Sequence, residues 1–107
     1  MKIIESFLEK AWGDSIDNPS LQDIKTTISE TQKMDFEHGA FWVGIFGENG
    51  EEEVLEVDKN LEMTLILVSN NPVELKKTAP SWSSIERTYE KFLSGDTEAI
   101  KDWIRNE

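Results

Sequence analysis

The sequence predicts one α+β domain over residues 1–107, with an antiparallel sheet of about four to five strands and two to three helices. Three observations carry this prediction. The length of 107 residues leaves room for one hydrophobic core. Two segments, residues 18–32 and 82–93, repeat apolar residues at helical spacing. Between them, residues 41–68 have the composition of three short strands joined by tight turns.

Residues 1–12 are ambiguous. Ile4, Phe7, Leu8 and Ala11 recur at helical spacing, although a strand is also possible for this segment. The polar residues 13–18 that follow predict a loop.

Residues 18–32 predict the first helix. Asn18 is a suitable N-cap, Pro19 suits the first helical position, and Asp23 lies where the helix dipole favours an acid. A narrow apolar stripe indicates that this helix lies on a surface and packs through one side only. The stripe consists of Leu21, Ile24 and Ile28.

The middle of the chain predicts an antiparallel meander. Residues 41–47 are β-branched and aromatic and apolar on both faces, which is typical of a central strand. Asn49-Gly50 is a strong hairpin signal, and residues 52–57 would form the returning strand. After a turn at residues 58–60, alternation predicts a third strand as far as Val68.

The last third of the chain predicts an edge strand and two helices. Residues 73–80 could hold a short edge strand that Pro80 ends. Residues 82–93 form an amphipathic helix, which Gly95 terminates. Asp96 can then cap a short final helix. That helix carries Ile100, Trp103 and Ile104.

Composition and charge exclude several functions. The absence of cysteine rules out disulfides, thiolate nucleophiles, iron–sulfur clusters and cysteine-type zinc sites. A net charge of −11 repels nucleic-acid phosphates and anionic membranes and attracts basic proteins. Glu5 and Glu9 interrupt any signal-peptide core, and no apolar run is long enough to span a bilayer. We therefore expect a cytoplasmic protein with neither nucleic acid nor membrane as a partner.

The densest acidic cluster lies on the predicted hairpin and its turns. Seven acids fall within fifteen residues, and Lys59 is the only cation among them. Because strand side chains alternate, Glu52, Glu56 and Glu62 could share one face of the sheet. The cluster is either a solvated charged surface or a docking surface for a cationic partner. We predict Glu48, Glu51, Glu52, Glu53, Glu56 and Asp58 as the residues that bind the partner.

Other candidate sites are weaker. His38, the only histidine, lies in a predicted loop beside Asp35 and Glu37, and a hydrolase would need it as the base. The acids at residues 49–53 lack the spacing of a calcium loop, and the glycines lead into no phosphate-binding helix. We expect neither metal nor cofactor. Trp42, Trp82 and Trp103 are predicted to be core residues and Trp12 to be partly exposed.

Three segments together resemble a known family. They are Trp12-Gly13, residues 18–24 (Asn-Pro-Ser-Leu-Gln-Asp-Ile) opening a helix, and residues 89–96 (Tyr-Glu-Lys-Phe-Leu-Ser-Gly-Asp) ending one. This order is similar to that of the Imm1-type immunity proteins of bacterial polymorphic toxin and contact-dependent growth inhibition systems. The resemblance implies helices packed against an antiparallel sheet, a strand at residues 1–12, and binding to one cognate toxin domain. It implies no catalytic motif and no fixed contact residues.

The sequence therefore predicts a non-enzymatic immunity protein. Its partner would be the basic C-terminal effector domain of a large secreted protein, a nuclease and in particular an RNase. The immunity protein would occlude the toxin's active site or substrate cleft. The alternatives are a small acidic housekeeping interaction domain and, less favoured, a hydrolase that uses carboxylates and His38.

Overall fold

Six strands and three helices make up residues 1–106, which are the residues that this computed structural model describes. In chain order they are β1 (Ile3–Lys10), β2 (Ser15–Asp17), α1 (Leu21–Lys33), β3 (Ala40–Gly47), β4 (Glu52–Asp58), β5 (Glu62–Val68), β6 (Val73–Thr78), α2 (Trp82–Leu93) and α3 (Thr97–Arg105). The strands form one antiparallel sheet in the order β2-β1-β3-β4-β5-β6. The predicted α+β class is confirmed, with slightly more strands than expected.

The helices pack against one face of the sheet, and the core lies between the two layers. Alternate residues of the central strands point to this face; Val43 on β3 and Leu55 on β4 are fully buried. The helix residues in the same buried cluster are Ile24, Ile28, Ile85, Tyr89, Phe92, Ile100 and Ile104. Each buried aliphatic or aromatic side chain stabilises the fold by about 1.5–3 kcal/mol, so the core fixes the helices on this side.

The first helix begins two residues later than predicted. Ser20 is its N-cap, because its Oγ accepts a 3.2 Å hydrogen bond from the backbone N–H of Asp23. The Asp23 carboxylate in turn accepts a 2.8 Å hydrogen bond from the Ser20 backbone N–H, which completes a capping box. The predicted cap, Asn18, instead has a φ of 49° and accepts a hydrogen bond from the backbone N–H of Ser6.

The first segment is a strand, so the helical interpretation of residues 1–12 is wrong. Leu8 points into the core and pairs with Val43, whereas its neighbour Phe7 points to the opposite face. Because both faces of β1 carry apolar side chains, the alternation that identifies a strand is hidden. The predicted loop at residues 13–18 contains the three-residue edge strand β2, which contributes Ile16 opposite Leu8.

The meander and the C-terminal helices agree with the sequence. Asn49-Gly50 lies in the turn between β3 and β4, where Gly50 takes a φ of 84° that favours glycine. The edge strand β6 and the helices α2 and α3 all form as expected. Gly95, with a φ of 84°, separates the two helices, and the Asp96 side chain caps α3.

Within residues 1–106, no helix combines the length and the apolarity that a bilayer crossing requires.

Candidate functional site

The sheet face opposite the helices is uncovered, and we call it the open face. Strand register defines its members: Ser15 and Asp17 on β2; Glu5, Phe7 and Glu9 on β1; Ala40, Trp42, Gly44 and Phe46 on β3; Glu52, Val54, Glu56 and Asp58 on β4; Glu62, Thr64, Ile66 and Val68 on β5; and Glu74, Lys76 and Thr78 on β6. None of these residues except Gly44 is buried. Side chains from six strands are therefore presented together to solvent.

Aromatic and aliphatic side chains form the middle of the open face. The rings of Phe7 and Phe46 lie 5.9 Å apart between centroids, and the Phe7 ring covers the backbone of Gly44. Next to them is a depression of about 290 Å³, lined by Phe7, Glu9, Trp42, Val54, Glu56 and Ile66. Trp42 was predicted to be a core residue and this is wrong, because the register places it opposite Glu9 and Glu56 on the open face.

Eight carboxylates surround these apolar residues, against a single cation, Lys76. The acids are Glu5, Glu9, Asp17, Glu52, Glu56, Asp58, Glu62 and Glu74. Over the described part of the chain, none of the eight forms an ion pair. The pKa of Glu56 is raised by partial burial and then by neighbouring acids, Asp58 foremost, while Lys76 lowers it. The open face is thus a region of uncompensated negative charge around an apolar centre.

The predicted partner-binding acids do not all lie together. Glu52, Glu56 and Asp58 are on the open face, and Glu62 joins them there as the alternation suggested. Glu48 and Glu51 lie in the β3–β4 turn at the end of the sheet. Glu48 is 3.8 Å from Lys2, and Glu51 accepts a hydrogen bond from the backbone N–H of Asn49.

Glu53 lies on the other face of the sheet, so its placement in the same cluster is wrong. Its register partner Ile45 is a core residue, and only 7% of Glu53 is exposed. Its Oε2 lies 3.7 Å from Lys101 Nζ, whereas its Oε1 has no hydrogen-bond partner among the described residues. Burial raises the pKa of Glu53, and the charge of Lys101 partly offsets this. Glu53 is a buried acid on the helix side of the sheet and is not part of the open face.

His38 lies in the exposed loop between α1 and β3. Its Nδ1 is 3.0 Å from Asp35 Oδ1, and its backbone N–H also donates a hydrogen bond to that oxygen. These bonds lower the pKa of Asp35. These hydrogen bonds stabilise a local turn. Both side chains are more than half exposed, so the pair does not lie in a cleft.

The remaining tryptophans divide between the core and the surface. Trp82 and Trp103 are partly buried against the core, as predicted, and Lys77 Nζ lies 4.7 Å from the Trp103 ring centroid. Trp12 is half-buried, also as predicted, with Lys10 Nζ 5.8 Å from its ring.

Sequence reasoning missed the half of the open face that β1 and β3 provide. Glu5, Phe7 and Glu9 are spaced by two, so a strand would place them on one face, but this face mixes acids with an aromatic ring and gives no clear alternation of polar and apolar residues. The helical spacing of Ile4, Phe7, Leu8 and Ala11 was the clearer pattern in this segment.

Comparisons with family models, curated proteins and solved structures find no match to this chain.

Proposed function

We propose that this chain is a non-enzymatic binding protein whose open face docks onto a basic protein partner. The observation that carries the proposal is the set of eight carboxylates without ion pairs around an uncovered aromatic centre. Carboxylates that share one face with a single cation repel one another. A partner that brings lysine and arginine would offset this repulsion and steer its own association.

The apolar centre of the open face would supply most of the binding energy, which the charges alone do not. Interface binding energy concentrates in a few buried aromatic or aliphatic anchors, and charged residues at the rim contribute mainly to the rate of association. Phe7, Trp42 and Phe46 are half-buried side chains in the middle of the acidic surround. This arrangement fits a protein surface better than a nucleic acid, because the carboxylates would repel phosphates.

An immunity role would narrow the class of basic protein to which the partner belongs. It rests on the resemblance of three sequence segments to immunity proteins, and the comparisons neither support nor oppose it. In that role the partner is a basic nuclease domain of a secreted toxin, an RNase in particular, and the open face would occupy the cleft that grips substrate phosphates. An acidic surface that mimics phosphate charge suits this inhibition.

The experiment compares three immobilised baits in a lysate of the cells that encode the chain. They are the unmodified protein, the open-face variant Glu52→Lys/Glu56→Lys, and a control with the same charge change, Glu37→Lys/Glu90→Lys. Glu37 and Glu90 are exposed and lie off the open face. We expect a basic protein on the first and third baits and its loss from the second.

A captured protein is then purified and assayed for RNA cleavage with increasing amounts of this chain. Suppression of cleavage at about one equivalent would support the immunity role. Equal retention on all three baits, or retention of no basic protein, would reject docking through the open face. A basic partner without nuclease activity would reject only the toxin assignment and favour the interaction-domain alternative.

A further inference from the structure

Three residues form a straight row across the open face. Glu9 on β1, Trp42 on β3 and Glu56 on β4 are direct register partners, so the indole lies between the two carboxylates. Strands spaced by about 4.8 Å place the Cα atoms of the two acids about 10 Å apart. The row lines the 290 Å³ depression together with Phe7, Val54 and Ile66.

The indole of Trp42 is held in place. Its Nε1–H donates a 3.1 Å hydrogen bond to Glu9 Oε2, although the two residues are separated by 33 positions in the sequence. This bond orients the ring and one carboxylate together. A site whose groups are already oriented loses less entropy when a ligand binds.

The row is without a positive charge. Neither Glu9 nor Glu56 forms an ion pair with any lysine, arginine or histidine among the described residues. Lys76 lies two strands from Glu56, beyond Thr64. An aromatic ring between two carboxylates that have no ion pair has the chemistry that attracts one organic cation.

We propose that Glu9, Trp42 and Glu56 form a clamp for one arginine side chain of the partner, an inference that rests on the proposed docking function. The guanidinium stacks on the Trp42 ring and donates hydrogen bonds to the carboxylates on either side. The aliphatic stem of the arginine lies against Phe7 and Ile66. This arginine is the central anchor of the interface, and the other open-face acids form its rim.

Arginine fits better than lysine for two reasons. Its guanidinium is planar, stacks on indole and presents several donors in a fixed fork, so it can address both carboxylates at once. A lysine ammonium is a compact and strongly hydrated charge that would pair with only one acid at a time.

The test uses three short probes: acetyl-Gly-Arg-Gly-amide, the same peptide with lysine, and the same peptide with citrulline, which is shaped like arginine but uncharged. Each is titrated into ¹⁵N-labelled protein while the Trp42 indole N–H signal is followed by NMR. We expect saturable shifts with arginine, weaker binding with lysine, and affinity for citrulline lower by about fivefold or more.

Two variants with equal charge change locate the binding. Glu9→Gln/Glu56→Gln should lower the affinity for the arginine peptide by about fivefold or more. Glu37→Gln/Glu90→Gln should leave that affinity within about twofold of the original. Trp42→Leu, followed through the Val54 and Glu56 backbone signals, should weaken binding without changing charge. Equal binding of the arginine and citrulline peptides, or equal loss in the two double variants, would overturn the clamp.

The clamp and the docking function can fail separately. A basic protein that needs the open face but binds Glu9→Gln/Glu56→Gln as tightly as the unmodified protein would reject the clamp and retain the docking function. Arginine-selective binding by a chain that retains no basic protein would reject the docking function and a partner protein as the source of the arginine, while the arginine site itself would stand.

Discussion

The hydroxyl of Tyr89 donates a 2.7 Å hydrogen bond to the backbone carbonyl of Leu55. Tyr89 is fully buried on α2, and Leu55 is in the middle of β4. The Tyr89 ring also stacks on Phe41, with centroids 5.2 Å apart. The contact thus joins a helix to the strand whose opposite side presents Val54 and Glu56 on the open face. The core fixes the position of the candidate site from behind.

Removing the hydroxyl should therefore destabilise the fold while leaving the surface unchanged. We expect Tyr89→Phe to lower the free energy of unfolding by about 1–2 kcal/mol, because one buried hydrogen bond is lost and the ring is kept. Tyr89→Leu should lower the free energy of unfolding further, since the stacking on Phe41 is lost as well. Urea unfolding followed by circular dichroism measures both. A Tyr89→Phe protein as stable as the original would mean that this bond contributes nothing net.

Gly44 lets the Phe7 ring lie close against the sheet backbone. A Cβ at position 44 would overlap the ring, so Gly44→Ala must displace Phe7. We expect a loss of about 1–3 kcal/mol in stability, as for other overpacked sites. The double variant Gly44→Ala/Phe7→Ala should recover part of this loss, because the clashing ring is gone. If the two single substitutions change the free energy of unfolding by amounts that simply add in the double variant, the ring and the glycine are not coupled.

Strands of this chain with a clear alternation of polar and apolar residues are predictable from the sequence, and strands without it are not. In β5, Met63 and Leu65 alternate with Glu62 and Thr64, and this strand was predicted correctly. In β1, Phe7 and Leu8 are adjacent apolar residues on opposite faces, which mimics a helix repeat. A strand with one face in the core and an aromatic on the other loses the alternation that would identify it.

The candidate site was half predictable for the same reason. Glu52 and Glu56 were placed on one face because they are four residues apart on a correctly predicted strand. Glu53 was included only through its neighbours in the sequence, yet the same alternation directs it to the helix side. The pairing of Glu9 with Trp42 joins residues 33 positions apart, and no local pattern contains it.

Glu53 makes stability depend on pH with a sign that can be tested. Because burial raises its pKa above the ordinary value of 4.5, the folded state holds this proton more tightly than the unfolded state. Its contribution to stability is therefore complete below 4.5 and is lost as the pH rises through the raised pKa. The Glu53→Gln protein should unfold at a higher temperature at pH 7 than the unmodified protein. Its stability should also change less with pH above 4.5. Thermal melts across that range measure this.

The control for Glu53 is a surface acid with the same charge change. Glu90→Gln is at an exposed position on α2 and should leave the slope of stability against pH as it is. A parallel slope for Glu53→Gln and the unmodified protein would show that the buried carboxyl does not cause the dependence. Lys101→Met should act in the opposite direction to Glu53→Gln, because it leaves the buried carboxylate without its cation.

Glu56 should show opposite effects on stability and on binding. Partial burial and neighbouring acids raise its pKa, so its charge is unfavourable in the isolated fold at pH 7. We expect Glu56→Gln to raise the free energy of unfolding by a few tenths of a kcal/mol, since the partly buried charge and its repulsion by Asp58 are removed. Added salt should reduce the part of this gain that comes from repulsion. The same variant should weaken binding of the arginine peptide, whereas Glu37→Gln should change neither quantity. A Glu56→Gln protein that loses stability would show that the carboxylate is already compensated within the chain.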